Sequence, residues 1–452
     1  MFTIFLIPLF LLGCEPSELD VNIVEGDPDQ VDPAVDCTMN DIQYPCQNVE
    51  LLSILSPQEL RGTFLNDIWG WTDPLNGKEY ALVGLTDGIT FVDISDPETP
   101  VVIGKLRESN IRSKFKAMPV SDYPACNLGI GTTEYAKSIT QGSTWRDHKV
   151  YQDHLFIVSD AQPHGMQVFD LSRLRQYNGA FLNFTEDVLY DRFSNAHNII
   201  INEQSGYAYA AGVTQADICG SRDLSGLHII DIRDPKSPVY AGCYADAATD
   251  AQSSPNIAPG YIHDAQCILY DGPDPDHQGK EICFNSAEGN IVIADVTDKS
   301  DAKTISFNTT VDMQYSHQGW VTEDRRYFLM NDEVDELNLG RRTRTYVWDV
   351  SDLDNPVFAG YYQQPTNSID HNLYIRGDFV YQTNYTSGLQ IYELRDLANA
   401  DMQRVAFFDT KPNSNEQDFD GTWSNYPFFD SGVVILSDIS GGLFVVRPQL
   451  NN

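Results

Sequence analysis

Basic residues are scarce: 29 Lys and Arg stand against 65 Asp and Glu in 452 residues, a formal net charge of −36. Nucleic acid is gripped through cationic side chains on its phosphates, so this balance excludes it as a partner. The excess of acid fits a solvated surface, with cations or basic molecules as the charged partners left open. The chain also lacks Gly-x-Ser-x-Gly, a phosphate-binding P-loop, His-Glu-x-x-His and a dinucleotide fingerprint. Nucleophile-elbow hydrolases, NTPases, zincins and nicotinamide enzymes therefore lose support. None of the eight cysteines forms a Cys-x-x-Cys pair, which removes the zinc ribbon.

Long apolar runs are missing too. The N-terminal "MFTIFLIPLFLLGC" is shorter than the roughly 20 residues a membrane-spanning helix needs, and it reads as a signal peptide over residues 1–14. Its "LLGC" ending resembles a bacterial lipobox, which predicts lipidation of Cys14 and an exported protein held at the cell envelope or surface. Between Glu15 and Glu50 there is no Lys or Arg, while acids and prolines recur. Such a stretch buries too little apolar surface to offset its ordering entropy, so residues 15–47 are expected to form an extended acidic tether.

What is abundant is turn formers and aromatics: 31 Gly, 23 Pro and 23 Tyr. They are arranged in an internal repeat. The segment "ALVGLTDGITFVDISDPETPVVIGKL" at 81–106 returns as "GLHIIDIRDPKSPVYAGCY" at 226–244 and "RTYVWDVSDLDNPVFAGYY" at 344–362, with weaker copies from Gly165, Asn290, Gly388 and Gly442. Each copy has the grammar of four short strands, with Asp-Pro or Asn-Pro turns where Pro fixes φ and the preceding side chain caps the turn. Seven copies of that size predict an all-β, seven-bladed β-propeller over residues 48–449. The last copy supplies only three strands, so "NVELLSILS" at 48–56 is expected to complete it and remove the open edge. Residues 107–142 are too long for a blade connection and are expected to form an insertion loop carrying Cys126.

In an oxidising compartment the cysteines are better read as disulfides than as metal ligands. Cys267 and Cys283 fall on neighbouring strands, and Cys219 with Cys243 joins a loop to an outer strand; one of Cys37, Cys46 and Cys126 is then left over.

The repeats, together with "NDIWGW", "AHNIIINEQSGYAYAAG" and "HDAQCILYDGPDPDHQGKEIC" in that order, resemble LVIVD repeats as arranged in the choice-of-anchor B proteins. The resemblance spans residue 48 to the end. It implies an exported β-propeller whose relatives share a body and differ in surface attachment, and it implies no particular activity.

Five of the nine histidines sit near the start of an innermost strand: His148, His197, His263, His317 and His371. In a propeller that position rims the channel mouth. Acidic loops open on the same face and bring Asp160, Glu288, Asp332 and Glu333. Imidazole and carboxylate together suit a transition metal, or a general base beside metal-bound water; the same side chains equally serve as hydrogen-bonding spacers between blades, with Asp147 or Asp370 orienting the rings. Asp271, Asp274 and Asp276 lie close enough for calcium but lack the glycine and terminal glutamate of an EF-hand. These readings favour an exported binding scaffold that recognises an extracellular protein, glycan or small ligand through its top face and meets the membrane only through its lipid. The alternative is a metal-dependent hydrolase or lyase. No catalytic residue is assigned, and the cofactor is open between none, calcium and a transition metal.

Overall fold

The computed structural model describes residues 22–25, 35–108, 142–213, 219, 224–249 and 259–450. Seven sheets, each with four antiparallel strands counted outward from an innermost one, form the blades of a β-propeller. The innermost strands are Leu65–Thr72, Arg146–Tyr151, Asn198–Asn202, Asp264–Leu269, Ser316–Val321, Asp370–Arg376 and Thr422–Tyr426, numbered here as blades one to seven. Each packs against the next, and that of blade seven packs against that of blade one, so the ring is closed.

The repeated Asp pattern has a local cause. In blade one, Asp93 accepts from the Ser95 amide and Asp96 from the Glu98 amide. Asp231 and Asp234 do the same in blade three, and Asp349 and Asp352 in blade five. Two successive side-chain-to-backbone turns thus steer the third strand into the fourth in every strong copy. The strands themselves bury apolar faces between blades: Phe91 of blade one stacks on Phe169 of blade two at 4.9 Å, and Phe184 packs edge-on against both. Close approach at one position demands glycine. A Cβ on Gly242 would lie 1.6 Å from the Lys299 carbonyl, where blade three meets blade four.

Closure follows the expectation from the incomplete seventh copy. Val49–Leu55 pairs antiparallel with Gly442–Pro448, from Leu55 opposite Leu443 to Val49 opposite Pro448, and becomes the outer strand of blade seven. The segment before it differs from the expected tether. Val35–Met39 and Ile42–Gln47 form a hairpin that extends blade six through Gln47 opposite Phe407 and Cys46 opposite Phe408. Tyr44 and Cys46 are buried there against the core of blades six and seven, an apolar anchor inside a polar stretch. Asn22–Glu25 likewise adds a parallel strand to the edge of blade five. Residues 1–21, including Cys14, lie outside the described residues, as does most of the 107–142 insertion with Cys126. Among the described residues no helix is long and apolar enough to cross a membrane.

Both expected disulfides are formed, Cys267–Cys283 across neighbouring strands and Cys219–Cys243 from loop to outer strand, and a third joins Cys37 to Cys46.

Candidate functional site

The top face is the one from which the innermost strands start and on which the loops between second and third strands open. At the channel mouth on this face, four imidazoles form a continuous arc. Ring centroids are 4.5 Å apart from His197 to His263, 4.3 Å from His263 to His317 and 4.3 Å from His317 to His371. Aromatic rings continue it at each end, Trp423 at 4.7 Å from His371 and Trp145 at 6.5 Å from His197.

The backbone explains how consecutive blades present these rings alike. His197 and His263 directly precede their strands, and each donates its amide to the second strand of its own blade. In blades five, six and seven the pairing register shifts around His317, His371 and Trp423. A bulge there turns one side chain out of the regular alternation.

Hydrogen bonds then fix the tautomers. His263 Nδ1 lies 3.0 Å from the His317 carbonyl, His317 Nδ1 3.2 Å from the His371 carbonyl, and His371 Nδ1 2.6 Å from the Trp423 carbonyl. A carbonyl only accepts, so each Nδ1 carries the proton and each Nε2 keeps its lone pair. Burial lowers the pKa of all three rings, His371 to about 3, with neighbouring imidazoles adding to the effect. They are neutral near pH 7. His197 is the exception: burial pulls it down, but the Asp160 carboxylate, 2.9 Å from its Nδ1, outweighs that and raises it.

Glu333 is the carboxylate that faces the arc. Its Oε2 is 3.7 Å from His317 Nε2 and its Oε1 3.7 Å from His371 Nε2, while the Tyr385 hydroxyl donates to Oε1 at 2.8 Å. Burial pushes Glu333 up to about 7, only partly offset by the Tyr385 bond. Behind it Asp332, Asp335, Glu336 and Asp370 are all buried. Burial, with repulsion from Asp335, raises Asp332 to about 7, and burial raises Asp335 to about 6 against the opposing pull of Tyr346, Arg341 and Arg344. Asp332 is occupied by the backbone amides of Gln314 and Tyr315, and Glu288 is engaged with Tyr315, so both brace the loops around the mouth.

Not every residue singled out from the sequence joins this site. His148 turns away: its Nε2 lies 2.8 Å from the Leu82 carbonyl of blade one and its ring is fully buried. The pairing of Arg146–Tyr151 with His154–Ser159 runs in unbroken register, so no bulge swings His148 toward the mouth. Asp147 does not orient a histidine ring either; it accepts from the Ile199 amide at 2.7 Å and pairs with Lys149 deeper in the channel. The three aspartates considered for calcium do not converge. Asp271 is exposed and paired with Arg325, Asp276 is exposed, and Asp274 is a buried loop staple accepting from the amides of Asp276 and Leu353. Among the described residues two groups of three side chains have ligand atoms close enough for one ion, His317–Glu333–His371 and Asp274–His277–Asp354. In the second, His277 Nε2 is already bonded to Asp354 at 3.0 Å. Trp423 escaped the sequence reading because it holds the histidine position of blade seven without being a histidine, and Tyr385 because it lies in the turn after the second strand of blade six.

The LVIVD repeat family matches residues 77–107 and 223–246. No curated protein matches the sequence. Among solved structures, the β-propeller domain of Cps50 (Swd1) from Myceliophteria thermophila is similar at 12% identity with a TM-score of 0.51, covering 88% of this chain and 98% of that one. A protein from Lactobacillus plantarum is similar at 12% identity with a TM-score of 0.47, covering 83% of this chain and 88% of its own. At such identities the first likeness bears on the fold alone.

Proposed function

We propose that this seven-bladed propeller with LVIVD repeats is an exported, surface-tethered binding scaffold that recognises its ligand through the top face. The observation that carries this reading is where exposed aromatic side chains gather. Phe64, Trp145, Val311, Leu337, Leu339 and Phe419 are all exposed on top-face loops. The bottom ends of the strands expose Val101, Val239, Leu269 and Val357 with Tyr240, and a bottom loop exposes Leu75, a mainly aliphatic set. Exposed aromatics clustered beside polar groups mark recognition surfaces, and aromatic anchors carry most of the energy in such contacts. Trp145 and Phe419 also flank the histidine arc, Phe419 through Tyr385 at 5.6 Å.

Export is supported by three disulfides among the described residues, which persist in oxidising compartments. The signal-like N-terminus and the lipobox-like Cys14 support a lipid tether, and the order of motifs supports a place among the choice-of-anchor B proteins. A photo-cross-linking amino acid placed at Trp145 in the full chain, displayed on intact cells, is expected to capture a partner; the same group at Leu75 is not. Equal capture from both faces, or none from the top, overturns the reading. Cys14→Ala is expected to release the protein from the membrane fraction.

A further inference from the structure

We propose that the channel mouth is a transition-metal site of the zinc type, with His317 Nε2, His371 Nε2 and the Glu333 carboxylate as its protein ligands. The inference deepens the top-face reading, since it places an ion at the centre of that face. Three features carry it. The ligand atoms already lie within 4.8 Å of one another, and both imidazole-to-carboxylate distances are 3.7 Å. Metal bonds of about 2.0–2.2 Å in tetrahedral geometry set ligand atoms roughly 3.3–3.6 Å apart, close to both imidazole-to-carboxylate distances and within the 4.8 Å bound on the whole group.

The second feature is the hydrogen bonding around the ligands. His317 and His371 each donate Nδ1–H to a backbone carbonyl, and Glu333 accepts from the Tyr385 hydroxyl. Metal-binding imidazoles almost always spend the other ring nitrogen in this way, because that bond fixes the tautomer and the ring plane. The third is that 3.7 Å is too long for a hydrogen bond, so at this spacing Glu333 and the two Nε2 lone pairs meet without satisfying one another. A divalent ion between them satisfies all three. Two imidazoles and one carboxylate leave a fourth position for water or a ligand. Nitrogen-rich donors of this kind favour zinc and its first-row neighbours over calcium.

The test uses the full chain, stripped with chelator and titrated with Co2+. The expected result is about one ion per chain, with the strong visible absorption of four- or five-coordinate cobalt. His317→Ala, His371→Ala and Glu333→Gln each weaken binding by more than the roughly 10–100-fold that loss of an outer-shell partner costs, and Tyr385→Phe weakens it by about 10-fold. Asp354→Ala leaves it unchanged. Should an alanine variant fail to fold, the isosteric Glu333→Gln and Tyr385→Phe variants decide. Absence of the cobalt spectrum, or a spectrum that survives Glu333→Gln and disappears with His277→Ala, overturns the proposal. Cross-linking from Trp145 separates the two readings: capture by a chain that binds no cobalt leaves the scaffold standing and the metal site refuted, and one cobalt per chain without capture does the reverse.

Discussion

Replacing Lys149 with methionine tests how the channel below the histidine arc is held together. The Lys149 ammonium lies 3.2 Å from Asp67 of blade one, contacts Asp147 of its own strand more closely, and sits 4.6 Å over the Trp69 ring. Side-chain exposure is 16% for Lys149, 4% for Asp67 and 6% for Asp147. Despite burial, Lys149 and the Ile199 amide hold Asp147 down at about 2, while Asp67 is pushed up by burial and by Asp147. The charge that loses its partner in Lys149→Met is therefore that of Asp147. Stranding one buried charge costs about 3–5 kcal/mol, and the lower end applies because Asp147 keeps the amides of His148 and Ile199. With unfolding entropy on the order of 0.8 kcal/mol per kelvin for a chain of this size, about 3 kcal/mol lowers Tm by roughly 4 °C. The depressed folded pKa of Asp147 adds stability above its unfolded value near 4, and that stability is lost as pH falls toward about 2. The deficit of the variant thus shrinks across the same window. Urea unfolding at pH 7 and pH 3 measures it, and Lys149→Met/Asp147→Asn is expected to regain most of the loss. A single variant as stable as wild type at pH 7, or a deficit unchanged at pH 3, refutes the reasoning.

Other sites give equally direct expectations. Buried Glu281 joins blades three and four by accepting from Asn202, Tyr209 and Lys299; Glu281→Gln strands the Lys299 charge and costs about 3 kcal/mol in denaturant unfolding. Burial, with Asp438 adding repulsion, raises Asp409 to about 6. Its folded pKa lies above the unfolded one, so stability declines as pH climbs from about 4 to 6. Asp409→Asn, which keeps an acceptor for the Lys411 amide, is expected to be about 2 kcal/mol more stable than wild type at pH 7.5 and equal to it at pH 3.5. Leu55→Ala, at the buried end of the closing strand, costs about 2–4 kcal/mol and speeds unfolding from the blade-seven seam.

The parts legible in the sequence are those whose cause recurs once per blade. Asp93 with Asp96 and Asp231 with Asp234 cap the same two turns wherever they occur, so their spacing counted the blades, and the missing strand of the last copy pointed to Val49–Leu55. The acidic 35–47 segment defeated the same logic because its order comes from a distant edge: Tyr44 and Cys46 gain a core only when Phe408 and Phe444 are beside them. The histidine site stood between these cases. Residue type and approximate position identified His197, His263, His317 and His371, yet which way a ring points depends on its place against the ladder. His197 and His263 stand just before a regular strand and His317 and His371 on a bulge, and neither place has a residue code of its own. Blade two, in regular register, spends His148 on the Leu82 carbonyl; blades five and six, in shifted register, turn theirs to face Glu333. Bulges give up ladder hydrogen bonds, and repeated ones at a single channel mouth are hard to account for as spacing alone. Blades three and four reach the same mouth in regular register, with His197 and His263 just ahead of their strands. Two different backbone routes thus bring four imidazoles to one end of the channel, and that convergence marks it as built to hold something.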